Sequence, residues 1–244
     1  MISKAMDYIK KKVGITKGST IKIDIHCHTS LYSGCSIQTP EDAVETAIRR
    51  GIDGIVITEH GILWTGEELA KLQQKYPDFL ILNGIEYSAE SYDMLIYGIP
   101  DNCQIPSSPK MDEKISKARI KTRNIFGRIP DALKVEHVLD YFGKLGCAFI
   151  LPHPFRFNTE MKLSIKTIKR FHGIEVDSSN FHDEDRDLAM KLSQRYKIPA
   201  VTASDSHSTK TTGLWYIEIP EIKNMKDFVR IIKQGKWKHK YSEQ

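Results

Sequence analysis

Two histidines one residue apart, in the run Asp24-Ile25-His26-Cys27-His28, open the part of this chain where residue type and spacing point to chemistry. Alternate side chains of an extended strand share a face, so His26 and His28 point the same way while Cys27 turns into the packing layer. Two imidazoles so placed can grip one metal ion. The pattern recurs downstream. Thr58-Glu59-His60, Gly84-Ile85-Glu86, Leu151-Pro152-His153-Pro154 and Ala203-Ser204-Asp205-Ser206-His207 each set a histidine or an acid at the end of a short apolar run. Together these donors form a mixed nitrogen and oxygen set suited to Zn²⁺, Mn²⁺ or Fe²⁺. A lone histidine is more often structural, and one such pair leaves the question even. Five motifs at strand ends carry the metal reading.

The elements that must position these residues alternate along the whole chain. Apolar runs predict strands at 21–27, 54–58, 79–86, 94–98, 147–152, 173–177, 199–203 and 214–219. Helical patterns lie near 40–50, 66–76, 111–125, 134–145, 182–196 and 224–235. The first helix opens Thr39-Pro40-Glu41-Asp42, an N-cap, a proline at the first helical position and acids at the positive end. It stops at Gly51. Repeated strand–helix units with nearly all-apolar strands imply a parallel sheet covered by helices. Seven or eight such units in 244 residues point to an α/β barrel, for which ~250 residues is typical, with a doubly wound sheet as the alternative. In a parallel barrel the C-terminal strand ends gather on one face, which is how distant motifs would meet.

Composition sets the outer limits. Hydrophobic residues make up 40% and charged residues 27%, as in ordinary globular proteins, which excludes a disordered chain, a collagen-like fibre and a coiled coil. No window approaches the roughly 18 apolar residues of a membrane span, and no apolar secretory core opens the chain. Cysteines at 27, 35, 103 and 147 form no CxxC pair, so neither a disulfide framework nor a Cys-only zinc site is expected, and a cytoplasmic address is the simplest. The net charge of +5 is uneven: residues 1–22 hold six Lys and one Asp, residues 223–244 hold seven bases and two acids, and the 200 between hold 23 bases and 28 acids. Basic ends on an acidic body point only weakly to nucleic acid. A single domain is expected: a basic helical extension at 1–20 with Ile2, Met6, Ile9 and Val13 on one face, the barrel at 21–222, and a basic helix or tail at 223–244 packed on it.

The ordered set His26-Cys27-His28-Thr29, Thr58-Glu59-His60-Gly61, Gly84-Ile85-Glu86, His153-Pro154 and Ser204-Asp205-Ser206-His207 resembles the motifs of the PHP (polymerase and histidinol phosphatase) superfamily over residues 21–220. The resemblance implies a distorted (β/α)₇ TIM-like barrel with two, and up to three, clustered divalent metals, and hydrolysis of phosphate esters. It also implies that His26, His28, Glu86 and Asp205 hold one metal, that Glu86 bridges to a second held by His153, and that His60 and His207 belong to a third site. Two positions depart from the pattern. Where many members place an acid or imidazole after the first pair, this chain has Ser33-Gly34-Cys35, and Cys35 is either a zinc-binding thiolate or a buried inert thiol. Where a histidine often reaches the second site, the matching residue is Asp93, able to ligate or to serve as a turn acid.

The function expected is a metal-dependent phosphatase acting on a small phosphomonoester by attack of a metal-bridging hydroxide, with Glu86 and Asp205 around it. Arg156, three residues after His153, would clamp the phosphate, and Glu175 with Asp177 at a strand end could contact substrate. The basic run 110–128, with Phe126 its one aromatic, could overhang the site for a polyanion, although a solvated helix face is the simpler reading. The alternatives are a nuclease or phosphodiesterase, an amidohydrolase-like C–N hydrolase, and a non-catalytic metal-binding module. Oligomeric state has no readable signature.

Overall fold

The structure is a computed structural model that describes residues 19–101, 103, 105, 134–156 and 160–241. These build one nine-stranded sheet: β1 (Thr20–Cys27), β2 (Gly54–His60), β3 (Leu80–Ala89), β4 (Tyr92–Tyr97), β5 (Ala148–Leu151), β6 (Gly173–Asp177), β7 (Ala200–Thr202), β8 (Trp215–Pro220) and β9 (Lys238–Tyr241). The helices are α1 (Pro40–Arg49), α2 (Gly66–Lys75), α3 (Val135–Lys144), α4 (Ile165–Ile168), α5 (Asp183–Tyr196) and α6 (Met225–Gln234). The spatial order is β7-β6-β5-β4-β3-β2-β1-β8-β9. The N-terminal amphipathic face and the basic run 110–128 with its helix lie outside the described residues. Among the described residues, no helix is long and apolar enough to cross a membrane.

The sheet is mixed, which corrects the expectation of parallel strands throughout. β1, β2 and β3 run parallel, as do β5, β6 and β7, but β4 is antiparallel to both β3 and β5. Only Glu90 and Ser91 join β3 to β4, whereas a parallel crossover needs a dozen or more residues. Glu90 makes the reversal at φ 55°. The hairpin matters for the site, because it brings Asp93 opposite Ser88, close to Glu86 on the same strand pair. Gly84 permits the pairing: a Cβ there would lie 2.7 Å from the Ile96 carbonyl oxygen.

The sheet curls until its two sides meet. His28 N–H donates to the Ser206 carbonyl at 2.9 Å, and Cys27 bridges Ser206 in parallel. On the far side, Lys240 N–H donates to Thr202 Oγ1 at 2.9 Å and Trp237 Nε1–H to the Ala200 carbonyl at 2.8 Å, so β9 lies against β7 and leaves a nearly closed barrel. The 223–244 segment therefore supplies α6 and then a ninth strand paired with β8. Helices start where the sequence caps them. Thr39 and Thr65 each form a capping box, with Asp42 and Glu68. Three buried apolar clusters hold helices to sheet: one around Leu139 and Phe142, one around Tyr97 and Phe228, one around Val44 and Ile57.

Candidate metal centre

Both imidazoles of the first motif are fixed from behind and meet in front. His26 Nδ1 lies 3.1 Å from Glu175 Oε1, and His28 Nδ1 lies 3.2 Å from Ser33 Oγ. Their Nε2 atoms sit 3.1 Å apart. Asp205 Oδ1 is 3.3 Å from one and 3.4 Å from the other, and Glu86 closes the group at 3.8 Å from His26 and 3.5 Å from His28. Ligands about 2.1 Å from a tetrahedral ion stand about 3.4 Å from one another, which matches this group of donors. All four residues are buried.

Glu86 is the hub. Its Oε1 is 2.9 Å from His153 Nε2, and Asp93 joins Glu86 and His153 in a second donor group whose atoms lie within 4.8 Å of one another. Asp93 also accepts from Ser88 Oγ, its cross-strand partner. A third group gathers His28, His60 and His207, whose outer rings stack on His28 at 4.3 Å each. His60 Nδ1 lies 2.7 Å from Glu86 Oε2, and His60 Nε2 lies 3.3 Å from Cys35 Sγ. Cys35 is exposed rather than a buried inert thiol. Two buried atoms of the cluster, His60 Nδ1 and Asp205 Oδ1, stand within reach of these neighbours but in no aligned hydrogen bond among the described residues. Close donors facing one another fit a cluster of divalent cations.

The charges agree. Burial opposes ionisation of Glu86, but His153, His26 and His60 hold its carboxyl well below the usual range. Burial likewise works against Asp205, yet His26, His28 and His153 keep it ionised. His26 rises well above the ordinary imidazole value because the Asp205 and Glu175 carboxylates outweigh its burial. Burial drives His28 down to about 3, so it is the neutral imidazole of the pair. Cys35 is brought down to about 6, burial being outweighed by hydrogen bonds to His207 and His60. The backbone is also committed: Asp205 and His153 hold φ of 45° and 27°, a region that non-glycine residues avoid and functional sites retain.

Every histidine and acid named from the sequence as a metal ligand falls in one of these three groups or in direct contact with them. Arg156 Nη1 reaches Asp205 Oδ2 at 3.2 Å and is 27% exposed, so it lines the open side of the site. Asn180, missed in the sequence, donates to the same oxygen at 2.8 Å. Arg156, Ser179, Asn180, Phe181 and His182 border a cleft of about 960 Å³ beside the cluster. Glu175 is corrected. It has no exposed surface, and its oxygens accept from His26 and from His153 N–H at 3.0 Å, so it supports two ligands from beneath rather than meeting substrate. Asp177 lies 2.9 Å from Arg186. Sequence reading also passed over Asp24, whose carboxylate accepts Ser204 N–H at 3.0 Å and Gly213 N–H at 2.9 Å and so clasps the loop carrying Asp205 and His207.

The model of the PHP-associated family matches residues 183–237. A "Probable phosphatase" of Caldicellulosiruptor saccharolyticus is 23% identical over 77% of this chain and 80% of its own length. A two-domain Bacteroides vulgatus protein containing a predicted PHP-like metal-dependent phosphoesterase superposes with a TM-score of 0.62 at 14% identity, covering 91% of this chain and 65% of that one. These likenesses are to proteins described as PHP-type or as phosphatases. The chain is also similar in fold to an amidohydrolase from Chromobacterium violaceum, with TM-score 0.54 and 15% identity over 78% of this chain and 89% of the other.

Proposed function

We propose that this chain is a PHP-type phosphoesterase that hydrolyses a small phosphomonoester at two divalent ions, one held by His26, His28, Glu86 and Asp205, the second by Glu86, His153 and Asp93. The observation that carries the reading is Glu86, buried and shared between the two donor groups. Divalent ions bound there would supply an acidified water and neutralise phosphoryl charge. The remaining work falls to the chain itself. Arg156 offers two parallel donors to a phosphate at the mouth, and would exchange its contact with Asp205 for the substrate. Asn180 steadies the freed Asp205 oxygen. The cleft beside Arg156 receives the alcohol part, and its size suits a small molecule better than a duplex. Cys35, His60 and His207 flank a third position, where a thiolate favours zinc over manganese. Four free cysteines suit a reducing compartment, in keeping with a cytoplasmic enzyme.

The test is phosphate release from a panel of phosphomonoesters and diesters, with Mn²⁺ or Zn²⁺ and with EDTA. Metal-dependent release from monoesters, lost in EDTA, is expected. Preference for diesters would move the reading to a phosphodiesterase, and amide hydrolysis without phosphate release would move it to the amidohydrolase class.

A further inference from the structure

Glu59 stands next to His60 in the sequence but takes no part in the donor groups. It is fully buried, and its carboxylate is surrounded by donors. Oε1 accepts from Trp64 Nε1–H at 3.3 Å and from Thr29 Oγ1 at 2.5 Å. Oε2 accepts from Thr29 N–H at 3.2 Å and from Ser33 Oγ. An indole N–H and a backbone N–H can only donate, one facing each oxygen, and together with the two hydroxyls they offer four donors that favour the ionised carboxylate against the burial that opposes it.

That fixes Ser33. A hydroxyl has one proton and two lone pairs. The proton goes to Glu59, and one lone pair takes the backbone N–H of His60 at 3.4 Å. The second faces His28 Nδ1 at 3.2 Å. With no proton left to give, Ser33 must accept from Nδ1–H, which leaves His28 Nε2 bare. We infer that Glu59 and Ser33 form a relay that sets the tautomer of His28, turning the unprotonated nitrogen toward the metal cluster. Glu175 does the same for His26, with its other oxygen occupied by His153 N–H. The bare Nε2 of His28 lies 3.1 Å from His26 Nε2, where it can accept from a protonated His26 or meet a metal ion. Ser33 and Glu59 are positioning residues, since both act through His28. The inference deepens the metal reading above and rests on it.

The experiment is histidine-selective ¹⁵N NMR of the metal-stripped full chain near pH 8, paired with Zn²⁺ affinity from chelator competition. His28 is expected to carry its proton on Nδ1. Ser33→Ala should lower Zn²⁺ affinity by about 10- to 100-fold, as outer partners of metal ligands typically do, and Ser33→Thr should restore it to within a few-fold. Glu59→Gln, whose amide can donate to Ser33 and reverse the relay, should raise the Nε2-protonated population. A wild-type His28 protonated on Nε2 overturns the relay, and so does a folded Ser33→Ala that binds zinc like wild type. If Ser33→Ala does not fold, the wild-type tautomer decides alone. A chain with the expected tautomer that binds no metal would instead sink the metal reading and leave the relay standing.

Discussion

Asp205 ties the imidazole cluster to the open side of the site. Its Oδ1 lies against both His26 and His28, and its Oδ2 accepts from Arg156 and Asn180, all on a backbone held at positive φ. Asp205→Ala removes an anionic donor of the cluster and one ion-pair partner of Arg156. We expect the bound metal to fall by at least one ion per chain and turnover by roughly 100-fold or more, the scale set by losing one preorganised electrostatic group. Metal analysis and phosphate release check it, and full metal content with full activity would contradict it. Cys35 makes a subtler case. Its sulfur touches His60 Nε2, so Cys35→Ser should lower metal content by one ion while leaving the ions around Glu86 in place. Unchanged content would mean that the sulfur only hydrogen-bonds. At this scale the residues that cluster were legible, because a polar residue closing an apolar strand is conspicuous in a sequence. The supports were not. Asp24, Glu59 and Glu175 look like ordinary strand acids until the fold sets a loop 189 residues away, a serine and a histidine against them.

Elements were legible where their own residues decide them. The capping threonines and the apolar runs fell close to the observed ends of α1, α2 and most strands. Direction was harder, because β3 and β4 are buried on both faces and their composition is the same for parallel and antiparallel neighbours. The information lay in the two-residue connection instead. β9 was read as part of a tail, since Lys238-His239-Lys240 carries no apolar alternation, and its place comes from hydrogen bonds to β7 and β8. The β5–β6 junction offers a test of such cross-element bonds. Phe149 N–H donates to His172 Nδ1 at 3.1 Å, His172 N–H returns to the Phe149 carbonyl at 2.8 Å, and the two rings stack. Burial lowers His172 below 6.5, so the unfolded chain takes up the proton at higher pH than the folded one. The stabilisation is therefore complete above about pH 6.5 and is lost as pH falls toward the lowered folded value. His172→Ala should cost about 1–2 kcal/mol at pH 7.5, and the gap from wild type should narrow at pH 5.5. Unfolding at the two pH values measures it, and a gap that widens in acid would refute the assignment.

At the scale of the whole molecule, the cluster is where the barrel is fastened shut. Asp205 and His207 follow β7, His26 and His28 close β1, Glu86 is the last residue of β3 paired with β2, and His153 follows β5, so donors from four separated segments converge on one buried point. Glu86 and Asp205 bring two carboxylates into the same dry volume as four imidazoles, and ions bound among them tie those segments together in the folded state alone. Anything that binds the folded and not the unfolded chain stabilises it by mass action, by about 2.7 kcal/mol at a hundredfold excess over Kd. For a chain of this size one kcal/mol moves Tm by about 2–4 °C, so stripping the metal should lower Tm by roughly 5–11 °C. Adding Zn²⁺ or Mn²⁺ back should restore it in proportion to the logarithm of free metal. The Asp205→Ala chain should show a smaller loss on stripping, because part of its binding energy is already gone. An equal Tm with and without EDTA, in wild-type protein, would mean that protons shared among the histidines already balance the two acids and that the cluster holds no ion.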